Sequence, residues 1–522
     1  MKEKILFLSL SVFFCVSIVF AESGTTGPLT WTLENGVLTI SGTGDMPDYE
    51  RRGDNSAPWR SNSYSIKEVI IAEGITHIGN NAFYGYSNVG DPIYVSLAKC
   101  SLPHSLSTIG YKSFCKCEGL SAITIPEGVT SIGESAFAEC SGLQQVSLPH
   151  TLTAIEKWAF SGCGRLASIS LPGSLVTIGD WAFYNCISLA SITIPPQVTL
   201  ISKNLFQGSG LIDIVIPDQV TEIEDEAFFA CPALTSVTIP QGVTKMGVRV
   251  FSDCKKMKEI VVSDHNPLYA SIDGVLFTKD KSLLILFPAA KSSSYSVPAG
   301  VVTIGESAFA ECAILSSITF PSSLSKIENK AFADCTGLTA IPVSSGITEI
   351  KSDAFSGCTR LREFSASDDN TSFSTSEGVL YNKDKTTLLL FPSAKSTYFS
   401  IPKGVITIGE NAFADCADLT NITLPSSVQT IGDGAFSGCN GLIRITLPSS
   451  VASIGREGFA ACTRLRELHS RNPVPPSVGT DCFSEVDASL CRIFVPKGAR
   501  ADYRSADGWS GFKTVVEEIA PR

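Results

Sequence analysis

Residues 120–140 read LSAITIPEGVTSIGESAFAEC, and the last eight of them return at 305–312 and 409–416 with at most two changes. Successive phenylalanines of this motif lie 23 residues apart, with one interval of 22. A fixed period between about 20 and 50 residues is typical of a protein that stacks one structural unit. The sequence therefore predicts a solenoid of 23-residue turns. The series before its first interruption is Phe114, Phe137, Phe160, Phe183, Phe206, Phe228 and Phe251.

The series is interrupted twice, and both interruptions have the same length. After Phe251 and again after Phe355, the next repeat phenylalanine follows 58 residues later, which is 35 more than one turn of 23. Residues 273–281 also align with residues 377–385 at an offset of 104. These observations indicate a duplicated block that carries an insertion in each copy.

The two insertions, taken as residues 258–299 and 362–403, are each predicted to form a β-hairpin. Each contains two apolar runs separated by a Lys-Asp-Lys tip, which is the pattern of two paired strands joined by a polar turn. Because both fall at the same phase of the stack, we expect the hairpins on the same side of the solenoid. They should lie four turns apart, or on the order of 20 Å with one strand spacing per turn.

A single turn contains the pattern of a strand and that of a short helix. Apolar and polar residues alternate around Val146, as in a strand with one buried face. Pro149 ends that ladder because it has no backbone donor. The Ala159-Phe160 pair and Cys163 have the spacing of one helical turn against the interior. Since one such unit cannot bury its apolar face alone, we expect the strands of successive turns to form a continuous parallel sheet.

The turn L-x-x-I-x-I-P-x-x-V-x-x-I-G-x-x-A-F-x-x-C, read at 120–140, resembles the leucine-rich repeat of BspA-like bacterial surface proteins. The resemblance implies an α/β fold, a curved right-handed superhelix of parallel sheet and short helical turns. It places the solenoid at about 66–470. Residues 22–65 resemble the β-rich N-terminal cap of such proteins, and residues 471–522 their small C-terminal cap.

Composition excludes several classes of protein. The 522 residues include only 17% charged residues, and glycine and proline are spread along the chain, which argues against a coiled coil and against a charged disordered chain. The net charge is −11, so the basic surface that a nucleic-acid-binding protein needs is missing. We therefore expect no nucleic-acid partner.

The N-terminus has the pattern of an export signal. Lys2 and Lys4 precede an apolar run at 5–20, and we expect cleavage after Ala21, so that residues 1–21 form a signal peptide. The run is short for a transmembrane helix of about 20 residues. No later segment reaches that length. We therefore predict an exported protein, secreted or at the cell surface, without membrane insertion after cleavage.

Position explains most of the 17 cysteines, because 12 of them lie three residues after a repeat phenylalanine. Such a ladder is expected to consist of free, buried thiols that pack like small apolar residues. A disulfide between Cys482 and Cys491 is an alternative for two of the others. The ladder comprises Cys117, Cys140, Cys163, Cys186, Cys231, Cys254, Cys312, Cys335, Cys358, Cys416, Cys439 and Cys462.

The sequence does not predict an enzyme, a cofactor or a metal centre. It lacks the usual hydrolase and nucleotide-binding motifs. The carboxylates Glu134, Asp180 and Glu306 recur at one repeat position, whereas glycoside hydrolysis needs a unique pair. The stretches Asp264-His265-Asn266 and Asp368-Asp369-Asn370 open the two insertions and contain candidate calcium ligands. Asx turns at the loop entry explain them with fewer assumptions.

The exposed column of strand residues is the candidate binding face. Its members are neutral and mostly carry hydroxyl groups, a composition that β-propensity alone also explains. An extended regular face without catalytic groups is what repeat proteins use to bind macromolecules. The candidate residues are Thr124, Ser147, Ser170, Thr193, Thr238, Thr319, Thr423 and Thr446, with Val215 at the same position of one turn.

These observations predict a non-enzymatic exported binding protein, an adhesin whose solenoid surface contacts another protein. The resemblance implies a partner from the host extracellular matrix or from another bacterial surface. Two alternatives stay open at this point. The first is a structural spacer, and the second is a surface hydrolase with carboxylates from different turns.

Overall fold

The computed structural model describes residues 21–51, 53–85 and 96–518, so residues 1–20 of the predicted export signal lie outside the described part. The chain divides into two compact units, Met1–Gln197 and Val198–Arg522. Both units are stacks of short turns, which confirms the predicted parallel-sheet solenoid. Helix is scarce in the described ranges, where only the 3₁₀-helix Arg60–Asn62 and the α-helix Arg500–Ser505 are assigned.

Each regular turn contributes two strands to two parallel columns. In the first strand, Ala122–Thr124, alternation buries Ile123 and exposes its neighbours. Pro126 ends this strand, and the second strand, Ser131–Ile132, follows. A Cβ on the next residue, Gly133, would lie 2.5 Å from a carbonyl oxygen of the preceding turn, so any other residue at this site would require the backbone to shift. The second strand of each turn was not predicted from the sequence.

In the first unit an antiparallel meander leads into the two columns. Its first two strands are Glu22–Thr26 and Leu29–Glu34. The long-strand column comprises Val37–Gly42, Glu68–Ile71, Lys99–Ser101, Ala122–Thr124 and Gln145–Ser147. The short-strand column comprises Gly44–Asp45, Ile75–Ile78, Thr108–Ile109, Ser131–Ile132, Ala154–Ile155 and Thr177–Ile178.

The second unit repeats both columns and adds antiparallel strands at the two insertions, Tyr269–Ile272, Val275–Thr278, Phe373–Ser376 and Val379–Asn382. The long-strand column comprises Ser236–Ile239, Glu259–Val262, Ser294–Ser296, Ser317–Thr319, Ala340–Val343, Glu363–Ala366, Tyr398–Ser400, Asn421–Thr423, Arg444–Leu447, Glu467–Ser470, Arg492–Pro496 and Thr514–Glu518. The short-strand column comprises Leu200–Ile201, Glu222–Ile223, Lys245–Met246, Leu283–Leu286, Thr303–Ile304, Lys326–Ile327, Glu349–Ile350, Thr387–Leu390, Thr407–Ile408, Thr430–Ile431, Ser453–Ile454 and Ser477–Val478.

The segment around each repeat phenylalanine forms consecutive turns, where a short helical turn was predicted. Ser135, Phe137 and Glu139 donate their N–H groups to carbonyls of the next turn at 2.6–2.8 Å, while Ala136 and Ala138 donate within their own turn. Ser135 and Glu139 both have φ of +57°. This left-handed conformation directs alternate N–H groups toward the next turn. In a helix the same N–H groups would donate to carbonyls of their own segment. A third column of inter-turn hydrogen bonds results.

The repeat phenylalanines form a continuous stack of rings inside the first unit. Neighbouring centroids from Phe83 to Phe183 are 5.1–5.8 Å apart. Trp59 begins the stack, 5.7 Å from Phe83, and its indole N–H donates to the Ala82 carbonyl at 3.0 Å. That carbonyl would accept a backbone N–H in a regular turn. The indole therefore replaces the missing turn at this end of the column.

The cysteine ladder is buried, and its thiols are free. Cys140 Sγ lies 3.0 Å from the carbonyl oxygen of Phe114, in the preceding turn, and the contact recurs for Cys163 and Phe137 at 3.2 Å. The thiol thus donates a weak hydrogen bond to a carbonyl that apolar side chains cannot satisfy. Burial raises the pKa of the Cys186 thiol to about 12.

The alternative disulfide between Cys482 and Cys491 is not formed, since both are free thiols. Both side chains are buried, at 3% and 0% exposure. They pack in the same apolar cluster as Trp509, at the C-terminal end of the second unit. Like the ladder, these two cysteines act as small apolar residues.

Each interruption contains a complete extra turn that the 23-residue spacing concealed. Phe287 stacks on Phe309 at 4.9 Å, and its N–H donates to the Ala308 carbonyl at 2.8 Å. The Cys312 thiol contacts the Phe287 carbonyl at 3.7 Å. These are the contacts of a repeat phenylalanine, and Phe391 repeats them in the second insertion. The prediction that 35 residues lengthen one turn was therefore wrong.

The predicted hairpins are confirmed as paired strands. Val275–Thr278 pairs antiparallel with Leu283–Leu286, and the second insertion repeats this pairing. Leu283–Leu286 also pairs in parallel with Thr303–Ile304, so each hairpin joins the short-strand column. A further antiparallel strand, Tyr269–Ile272, was not predicted. Both hairpins start from the same column, and their separation stays a prediction.

A buried asparagine explains the polar entry to each insertion. The Asn266 side chain is fully buried and donates to the carbonyls of Pro240 and Val243 at 2.7 and 2.9 Å. Its amide oxygen accepts the N–H groups of Leu268 and Tyr269. Asn370 makes the same four bonds in the second insertion. Within the described ranges no cluster of metal-ligating side chains occurs, and the Asx turn accounts for these residues.

We expect Phe137→Ala to destabilise the protein by about 3–5 kcal/mol, because it removes a fully buried ring from the stack and leaves a cavity. Val176→Ala is the matched control, since Val176 is 50% exposed. Urea unfolding followed by circular dichroism measures both variants. Equal midpoints for the two would contradict the stack as a source of stability.

We expect Cys140, Cys163 and Cys186 to resist alkylation by iodoacetamide at pH 8 in the folded protein. Their thiols are buried, and burial raises their pKa above the usual value, so little reactive thiolate forms. Peptide mapping by mass spectrometry with and without urea checks this. Ser147→Cys, at an exposed position, should react without urea. Equal labelling of all four would refute the assignment.

Candidate binding face

The candidate face is formed by the residue that follows the buried residue of each long strand. Ile123 is 3% exposed, whereas Thr124 beside it is exposed. Parallel register places Thr124 opposite Ser147. In this geometry, equivalent side chains of neighbouring turns lie about 4.8 Å apart, which makes a regular row.

The structure exposes seven of the eight predicted face residues. Thr446 is half-buried, opposite His469 in the next strand. Val215, at the same repeat position, is 77% exposed. The first unit contains Thr124, Ser147, Ser170 and Thr193, and the second contains Thr238, Thr319, Thr423 and Thr446.

Within the described ranges, the four hydroxyl groups of the first unit's face have no protein hydrogen-bond partner and are available to a ligand. Gln145, Ser147, His150 and Ser170 line a shallow depression there. In the second unit, Thr319 Oγ1 donates to Ser296 Oγ at 3.0 Å. The Thr319 hydroxyl is therefore already used within the protein, unlike the four hydroxyl groups of the first unit's face.

Sequence reasoning missed several residues of the face. Register places Val261 opposite Thr238, Ser296 opposite Thr319 and Ser400 opposite Thr423. Each missed residue is one 23-residue period from its partner. That offset was the available signal, but these residues fell inside the segments assigned to the insertions.

The C-terminal end of the face is charged and aromatic, which the prediction of a neutral face did not include. His469 stacks on Phe494 at 4.3 Å with an interplanar angle of 7°. Glu467 forms ion pairs with Arg444 at 2.6 Å and Arg492 at 2.7 Å. Partial burial raises the pKa of the Glu467 carboxyl, but hydrogen bonds from Arg444 and His469 and the two arginine charges outweigh it and lower the pKa overall.

The carboxylates of the predicted repeat position lie in separate turns. Glu134 and Glu306 are exposed, and Asp180 pairs with Lys157 at 3.5 Å.

Among the described residues, no helix has the length and apolar character of a membrane span.

Comparison with solved structures finds leucine-rich repeat proteins from bacteria. A leucine-rich repeat protein from Eubacterium ventriosum shares 24% identity over 85% of this chain and 95% of its own, with a TM-score of 0.41. A leucine rich cell surface protein from Faecalibacterium prausnitzii shares 27% identity over 81% and 93%, with a TM-score of 0.43. A protein from Bacteroides ovatus shares 22% over 84% and 95%, with a TM-score of 0.39. The curated proteins contain no match to this sequence.

The sequence profile described as BspA type leucine rich repeat region, with six copies, matches this chain in five overlapping or adjacent stretches. The matched residues are 61–175, 93–212, 159–283, 286–394 and 389–501. They cover most of the chain, and so the protein belongs to the BspA-type leucine-rich repeat family.

Proposed function

We propose that the protein is an exported, non-enzymatic adhesin that binds another protein through its long-strand face. The observation that carries this proposal is the row of exposed, unpartnered hydroxyl groups in the first unit, Thr124, Ser147, Ser170 and Thr193. Thr124 and Ser147 are held by paired parallel strands, so binding them costs little backbone ordering. Their row carries no charge, which favours a polar protein surface over an anionic polymer.

Family membership supports a role in protein binding, and it is the basis for proposing a location at the cell surface. One of the similar structures is a leucine rich cell surface protein from Faecalibacterium prausnitzii. The partner that we propose is a protein of the host extracellular matrix or of another bacterial surface. The charged cluster at the end of the second unit's face would add specificity through Arg444 and Arg492, whose charges are only partly neutralised by Glu467.

Two other functions are distinguishable from this proposal by experiment. A structural spacer would tolerate charge on the hydroxyl row without any change in binding. A surface hydrolase would turn over a glycan or peptide substrate and lose that turnover when one carboxylate, such as Glu134, is replaced.

We expect the double variant Ser147→Glu/Ser170→Glu to lose binding to its protein partner by about tenfold or more, because two buried, unpaired charges would be introduced at the interface. Pull-down from extracellular-matrix extract and from bacterial surface extract, followed by titration of the captured protein, measures this. The control is Thr130→Glu/Val176→Glu, which places the same charges on exposed residues outside the long-strand face.

The absence of any saturable protein partner in both extracts would contradict the proposed function. A captured partner that binds the face variant and the control equally would contradict the face as the site. Turnover of a glycan or peptide substrate by the unaltered protein would favour the hydrolase alternative.

A further inference from the structure

Two of the five tryptophans are not buried, and they stack on each other at the surface of the first unit. Trp31, Trp59 and Trp509 are at most 8% exposed. Trp158 and Trp181 are partly buried, with ring centroids 4.7 Å apart and parallel planes. They lie in consecutive turns, two residues before the repeat phenylalanine, on a different segment of the turn from the proposed protein-binding face.

The fold itself does not require these rings. Trp158 and Trp181 have φ of +61° and +55°, a left-handed conformation that is unfavourable for bulky side chains. The equivalent residues Ser135 and Ser307 adopt it with φ of +57° and +55°, and their small side chains leave the turn intact. The fold imposes this conformation on longer side chains at the same position as well, such as Lys112 and Arg249. The two stacked rings at the surface are therefore the feature that points to a function beyond stability.

Trp158 is one wall of an open trough. Ala138, Ser161 and Gly162 line the trough beside it and, being small, leave space above the backbone. Tyr184 closes one end, with its ring 5.9 Å from that of Trp158 and inclined by 69°. Trp181 supports Trp158 from the following turn. The trough thus offers a rigid aromatic wall next to a floor without bulky side chains.

The rim of the trough is polar and its charges balance. Lys116 and Glu139 form an ion pair at 3.1 Å across neighbouring turns. Lys112 and Glu134 add one further charge of each sign, and Asn185 adds an amide. Such a rim offers both donors and acceptors and has no net charge to attract an anion or a cation.

We infer that this trough binds a neutral oligosaccharide, with one pyranose ring stacked on Trp158. The apolar C–H face of a pyranose matches the flat indole, and its hydroxyl groups both donate and accept hydrogen bonds, as the rim requires. An anionic glycan would gain nothing from Glu134 and Glu139. An apolar peptide would leave the charged rim without partners, at a cost in desolvation.

The test titrates the purified protein with neutral tetrasaccharides of different linkage, namely cello-, laminari-, malto-, xylo- and mannotetraose, and with a sulfated oligosaccharide. Binding is followed by tryptophan fluorescence and calorimetry. Trp158→Asn removes the wall while keeping a residue that tolerates the left-handed backbone. Trp158→Tyr keeps an aromatic ring. Tyr398→Asn, at a 54% exposed tyrosine in the second unit, is the matched control.

We expect saturable binding of at least one neutral tetrasaccharide, a loss of about tenfold or more in Trp158→Asn, and retention in Trp158→Tyr and Tyr398→Asn. Glu139→Lys, on the exposed rim, should also weaken binding. It takes the place of Trp158→Asn as the test if Trp158→Asn unfolds at a lower temperature. The inference is overturned if no neutral tetrasaccharide binds at millimolar concentration, if only the sulfated ligand binds, or if Trp158→Asn and Glu139→Lys bind as tightly as the unaltered protein.

Discussion

Backbone hydrogen bonds that run along the stack are the interaction on which the rest of each unit depends. Around Phe137, residues with left-handed φ on both sides turn alternate N–H groups toward the next turn. The same arrangement points the phenylalanine ring inward, where it meets the ring of the preceding turn. The cysteine three residues later then satisfies the carbonyl of that preceding phenylalanine. The motif A-F-x-x-C therefore describes one hydrogen-bonded rung and not a piece of helix.

The solenoid, the long strands and the hairpins could be predicted because each has a repeated or alternating pattern of apolar residues in the sequence. The second strand of each turn leaves almost none, since Ser131–Ile132 is two residues long and has no alternation to detect. The extra turns at Phe287 and Phe391 were not predicted because two inserted antiparallel strands separate each from the preceding repeat phenylalanine. Both also lack the alanine before the phenylalanine and the cysteine three residues after it. Contacts in space identify these residues where spacing along the chain does not.

The candidate surfaces differ in how far they could be predicted from the sequence. Thr124 and its equivalents could be predicted because alternation along a strand fixes which side chains point outward. The cluster of His469, Phe494 and Arg492 is brought together by strands that follow irregular connections at the C-terminal end. The pairing of Trp158 with Trp181 was visible as a 23-residue offset, but their exposure depends on a left-handed backbone that no pattern of apolar residues reveals.

A column of identical rungs has an inherent hazard, because its first rung presents free carbonyl acceptors of the kind with which every internal rung receives the N–H groups of the preceding rung. A second molecule could dock there and extend the column without limit, as exposed strand edges do in aggregating proteins. At the start of the first unit the Trp59 indole already occupies the Ala82 carbonyl and covers the Phe83 ring. This single side chain imitates both the donor and the ring of a further turn, and it thereby blocks this end of the column.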